Sequence, residues 1–108
     1  MRWLPLLLLV GCGPLSSPPT APTVAIEPES PTADDALRCV IVQESVDPDE
    51  QAVTYRFDWA VDGSWLGLDS ADLSADQTRS GEEWSCRGYG VDESLESEPS
   101  EAATVLIP

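Results

Sequence analysis

Hydrophobic and polar positions alternate most clearly in "VTYRFDWAVDG", residues 53–63. Tyr55, Phe57, Trp59 and Val61 take every second place, between Thr54, Arg56, Asp58 and Ala60. That period of two predicts a strand with one face buried. Asp62-Gly63 follows it and predicts a tight hairpin turn. "TVAIE" (Thr23–Glu27), stopped by Pro28, reads as a first short strand. "ALRCVIVQE" (Ala36–Glu44) reads as a second, with Leu37, Cys39 and Ile41 on one face. "EEWSCRGYGV" (Glu82–Val91) puts Trp84 and Cys86 on one face, and "ATVLI" (Ala103–Ile107) reads as a last strand. Ser64–Leu68 and the polar stretch 69–78 have room for one or two edge strands, and "DSADLSADQ" for a single helical turn. No helical stripe of useful length appears. Six to eight short strands between polar turns predict an all-β chain folded as a β-sandwich.

The N-terminus follows a different pattern. "WLPLLLLV", Trp3–Val10, is an unbroken apolar run behind Arg2. A membrane-spanning helix needs about 20 apolar residues, so the run is too short to span. It reads as the apolar region of a compact signal peptide, residues 1–11. "LVGC", Leu9–Cys12, resembles the lipobox of bacterial lipoproteins, in which two aliphatic or small residues and a glycine or alanine precede the cysteine. The resemblance implies cleavage before Cys12, a diacylglycerol on its sulfur and an acylated amine. Two or three acyl chains anchor stably where one does not. The alternative is a secreted protein cut nearby, with Cys12 lost or free. Residues 13–22, "GPLSSPPTAP", hold four prolines and no hydrophobic period. With Cys12 they read as a lipidated, proline-rich tether, extended at about 3.1 Å per residue.

Composition narrows the function. The 108 residues are enough for one small domain, 23–108, behind that tether. Twenty acidic residues face five arginines, for a net charge of -15. No basic patch exists to bind nucleic acid or an anionic membrane surface. The charge suits a soluble, self-repelling surface, or a cation or electropositive partner. With 42% hydrophobic residues in alternating runs, the chain is not disordered throughout. It has no histidine and no lysine. Histidine-based nucleophile activation, histidine zinc sites, Schiff bases and lysine phosphate loops are therefore excluded. The expectation is a protein that is not an enzyme and has no resident cofactor. Scattered carboxylates without a cleft do not make a glycosidase.

The order Cys39, Trp59, Cys86 resembles an immunoglobulin-like sandwich across residues 23–108. In that fold a disulfide joins two sheets and a tryptophan packs on it. The resemblance implies a Cys39–Cys86 bond, with Trp59 and Trp84 in the core; two separate buried thiols are the alternative. Two features depart from antibody domains. Twenty residues separate Cys39 from Trp59, and "WSC" puts Trp84 where a corner tyrosine is expected. An indole N–H donates a hydrogen bond and cannot accept one. The departures favour an immunoglobulin-like, PKD-like or fibronectin-like bacterial module. "DPDEQAVTYRFDWAVDG" and "GEEWSC" look similar to repeated extracellular modules of bacterial surface proteins, which serve as spacers or adhesion modules.

Two places are candidate sites. "SVDPDEQ", Ser45–Gln51, gathers Asp47, Asp49 and Glu50, and oxygen ligands at alternate positions can hold calcium. Related modules carry an Asp-x-Asp-Gly-Asp string here. This chain has Glu50 for the glycine and Gln51 for the last aspartate, which favours a solvated turn. Trp65, after the hairpin turn, either stacks on a glycan or protein partner or folds back over an edge of the core. The sequence therefore predicts a lipid-anchored protein of the bacterial cell envelope, at the outer membrane or cell surface. It would present one module to an unknown envelope protein or glycan for structural, adhesive or protein-binding ends. The second reading is a calcium- or glycan-binding module.

Overall fold

A computed structural model describes residues 17–108. The expected signal peptide, the lipidated Cys12 and the start of the tether lie outside the described residues.

Seven strands form two antiparallel sheets. They are β1 (Thr23–Glu27), β2 (Leu37–Gln43), β3 (Thr54–Val61), β4 (Ser64–Trp65), β5 (Asp72–Leu73), β6 (Glu83–Val91) and β7 (Ala103–Leu106). One sheet has the order β1-β2-β5 and the other β4-β3-β6-β7. The expected helical turn is a 3-10 turn at Ala75–Gln77. The β3–β4 hairpin turns at Asp62 (φ 50°) and Gly63 (φ 88°). Positive φ at both central residues belongs to the turn whose twist matches paired strands.

Alternation decides what is buried. On β6, Trp84, Cys86, Gly88 and Gly90 point inward, and Ser85, Arg87, Tyr89 and Val91 outward. Leu37, Cys39, Ile26, Leu73 and Ile107 complete the core around Trp59. Ile41, expected on the same face as Leu37 and Cys39, is only half-buried towards the end of β2. Cys39 on β2 is bonded to Cys86 on β6, so the disulfide joins the two sheets. Trp59 lies directly across the β3–β6 ladder from Cys86. Its ring meets Trp84 edge-on, with centroids 6.4 Å apart and planes at 71°. Edge-to-face contact is a preferred aromatic geometry. Both indole N–H groups are satisfied: Trp59 Nε1 donates to the Ser70 carbonyl at 2.8 Å, and Trp84 Nε1 to Glu82 Oε1 at 3.0 Å. Trp84 thus brings its own acceptor, two residues back, to the place of a corner tyrosine.

The proline-rich segment does not run free as far as β1. Pro19 and Pro22 are buried. The Thr20 N–H donates to the Val46 carbonyl at 2.9 Å, and Val46 N–H donates to Thr20 Oγ1 at 2.8 Å. Proline has no N–H to satisfy, so it packs against an edge at little polar cost.

Candidate functional site

The outer face of the four-stranded sheet gathers the aromatic and cationic side chains. Pairing sets Asp58 opposite Arg87, Arg56 opposite Tyr89, and Ala60 opposite Trp65. The Arg87 guanidinium lies 3.8 Å from the centre of the Trp65 ring and 5.6 Å from that of Tyr89. The Arg56 guanidinium lies 4.8 Å from the Tyr89 ring. These distances place Trp65, Arg87, Tyr89 and Arg56 in one cation–π row. Acids flank it. Arg56 Nε donates to Glu96 Oε2 at 2.6 Å, and the hydrogen bond with Glu96 is the main cause holding the Arg56 guanidinium more firmly protonated than usual. Arg87 sits 3.7 Å from Asp58 Oδ2.

Trp65 therefore stacks on the outer sheet face and does not fold over a core edge. It remains 38% exposed, beside the exposed Leu66. Asp58 and Ala60, on the polar side of the β3 pattern, are nevertheless buried. The chain after β4 folds back over them. Asp58 Oδ1 accepts the N–H groups of Trp59 at 2.8 Å, Gly67 at 2.8 Å and Leu68 at 3.0 Å. Asp58 thereby holds the strand segment that carries Trp65. Nothing in the alternating pattern singled Asp58 out.

The acidic loop after β2 is built differently from the expected calcium string. Asp47 is buried, with Oδ1 accepting Asp49 N–H at 2.9 Å and Oδ2 accepting Gln51 N–H at 3.2 Å. Asp49 and Glu50 are exposed. Asp49 Oδ2 accepts Ser17 N–H at 2.8 Å, and Glu50 turns the chain at φ 59°. Among the described residues no three Asp, Glu, Cys or His side chains converge as a metal-binding group. The carboxylate next to Asp47 is instead Asp92, just beyond β6. Asp92 Oδ1 accepts Ser94 N–H at 2.8 Å and Leu95 N–H at 2.7 Å. These two backbone donors chiefly hold its carboxyl below the usual range, with a smaller contribution in the same direction from Asp47. Asp92 was legible only as part of a polar loop, because no local period marks a residue whose partner lies 45 positions earlier.

Comparison of the sequence with protein-family profiles and with curated proteins finds no match. Among solved structures, the fold is similar to the twitchin kinase region from C. elegans (Fn31-NL-kin-CRD-Ig26), with a TM-score of 0.58 and 23% identity. The match covers 88% of this chain and 17% of that one. With the two sheets and the disulfide between them, this makes the fold an immunoglobulin-like sandwich. Kinase activity belongs to another part of the twitchin chain's name, and a fold does not carry a function with it.

Proposed function

We propose that the protein is a non-catalytic binding module held on the bacterial cell envelope by lipid at Cys12, and that it contacts another protein through the outer face of its four-stranded sheet. The Trp65–Arg87–Tyr89–Arg56 row carries this reading. Tryptophan, tyrosine and arginine are the residues that most often dominate interface energetics. In a chain with only five arginines, two of them share this face with two aromatic rings. Stacked guanidinium and rings lose little further freedom on binding, which favours affinity. The anchor reading rests on Leu9–Cys12 behind the apolar run.

Photo-crosslinking of the full chain in its own membranes tests the contact. A partner captured by the wild type should be lost from Trp65→Ala/Tyr89→Ala. It should persist in Arg38→Ala, which changes an exposed side chain on the other sheet. Capture that survives the double change and fails in Arg38→Ala would move the contact to the other sheet. Intact mass of the membrane-fraction protein tests the anchor. The expected species is residues 12–108 plus acyl chains; an unacylated chain in the soluble fraction would remove it.

The exposed Trp65 also favours a second reading, glycan stacking, in which an oligosaccharide array replaces the protein partner.

A further inference from the structure

Two loops meet at one end of the sandwich. The loop between β2 and β3 supplies Asp47 and Gln51, and the turn after β6 supplies Asp92 and Glu93. Gln51 Nε2 donates to Glu93 Oε2 at 3.3 Å, which sets the two loops side by side. Asp47 is 8% exposed and Asp92 7% exposed, and their carboxyl groups lie within hydrogen-bonding reach of each other. None of the three ion pairs among the described residues involves either of them.

Two neighbouring buried carboxylates need a proton or a cation between them. The hydrogen bonds already present disfavour the proton. Both Asp47 oxygens and Asp92 Oδ1 accept backbone N–H groups, so a proton on any of them competes with a bond in place. The fourth oxygen, Asp92 Oδ2, is buried and has no hydrogen-bond partner among the described residues. The same holds for Gln51 Oε1, whose nitrogen faces the other way to Glu93. Ser45 Oγ is also without a partner, but it packs against Gly90 and is left out of the ligand set. A buried, unpartnered oxygen costs stability, and a cation's shell of hard oxygens relieves that cost. A cleft of about 300 Å³ opens onto Asp47, Gln51 and Tyr55 and leaves space for water to complete such a shell.

We propose that Asp47, Asp92 and Gln51 bind a calcium ion that clasps the β2–β3 loop to the turn after β6. Calcium fits better than magnesium because it accepts six to eight oxygens in irregular arrangements, whereas magnesium demands a near-ideal octahedron. Asp49 and Glu50 are not ligands of this site. The site is independent of the Trp65 face. Its loop also holds the N-terminal segment, through Thr20–Val46 and Ser17–Asp49, so the ion stiffens the point where the chain leaves the domain.

The test is calcium titration of the full chain, followed by thermal melting at constant ionic strength. Extracellular modules of this type bind with Kd about 10⁻⁴–10⁻³ M. At tenfold excess over Kd the melting temperature should rise by about 5 °C or more. Asp92→Asn and Asp47→Asn should abolish the rise, and Asp76→Asn, which removes the same charge elsewhere, should keep it. A second measurement does not depend on those variants folding. Terbium bound at the site should luminesce on excitation of Tyr55, be displaced by calcium, and lose most of that signal in Tyr55→Phe. No melting shift at about 10 mM calcium, ten or more times the expected Kd, would mean a shared proton or a water and overturn the site. An equal shift in all variants would mean diffuse ion binding and overturn it too, and a response to magnesium alone would overturn calcium as the ion.

Discussion

Small residues carry more of this fold than their size suggests. Gly88 and Gly90 sit inward on β6, and the chain beyond it lies along their edge. Ser97 Oγ accepts Gly90 N–H at 2.9 Å and donates to the Glu98 carbonyl at 2.7 Å. Ser100 Oγ accepts Gly88 N–H at 2.9 Å and donates to the Glu101 carbonyl at 3.0 Å. Two serines three residues apart thus stand in for a ladder that Pro99 cannot extend. Ser100→Ala leaves a buried N–H unsatisfied and is expected to cost about 1–3 kcal/mol, read from urea unfolding. Gly90 is a packing constraint as well. A Cβ there would overlap Ser45 Oγ and lie 2.8 Å from Ser45 Cβ. Gly90→Ala is expected to lose about 1–3 kcal/mol. Adding Ser45→Gly should recover part of the loss; a double variant as unstable as the sum of the two singles would refute that contact as the cause.

At the scale of elements, the sandwich depends on one covalent tie and on one buried acid. The Cys39–Cys86 bond closes a span of 47 residues between the sheets. Loop entropy alone gives it about 4 kcal/mol, a large share of the stability of a domain this small. Cys39→Ala/Cys86→Ala should therefore melt far below the wild type, and reduction should lower the wild type to a similar temperature. An unchanged melting temperature after verified reduction would show that the core suffices without the bond. Asp58 organises the other tie, between β3 and the chain after β4. Asp58→Ala leaves the Gly67 and Leu68 N–H groups without their acceptor and removes the acid beside Arg87. Faster amide exchange at residues 66–69 and a red-shifted Trp65 fluorescence are the expected outcome, with exchange on β1 unchanged.

For the whole molecule, charge is the dominant unfavourable term. All twenty acids lie in the domain, against four arginines. The exposed pairs Arg38–Asp72 and Arg56–Glu96 offset little of this repulsion, because exposed ion pairs contribute about 0–1 kcal/mol. Screening should therefore stabilise the fold. Raising sodium chloride from about 10 mM to about 150 mM shortens the screening length from about 30 Å to about 8 Å. The melting temperature should rise over that range; a fall would mean that the few attractive pairs outweigh the net repulsion.

The sequence by itself determined the strands, because a period of two, a turn residue and a proline act within a few positions of one another. Thr23–Glu27 matches its expected bounds, and the strands at Leu37–Gln43, Thr54–Val61 and Glu83–Val91 fall within a residue or so of theirs. The order of Cys39, Trp59 and Cys86 also sufficed to suggest the disulfide-joined sandwich. Tertiary structure alone decided the sites. Trp65 stacks on Arg87 because β4 pairs with β3 and Arg87 lies across the same sheet. Asp47 meets Asp92, and not Asp49 or Glu50, because two loops distant in sequence come together at one end of the sandwich. Local pattern reports which face of a strand is buried. It carries no information about which side chain arrives from the other strand or the other loop, and both candidate sites depend on that arrival.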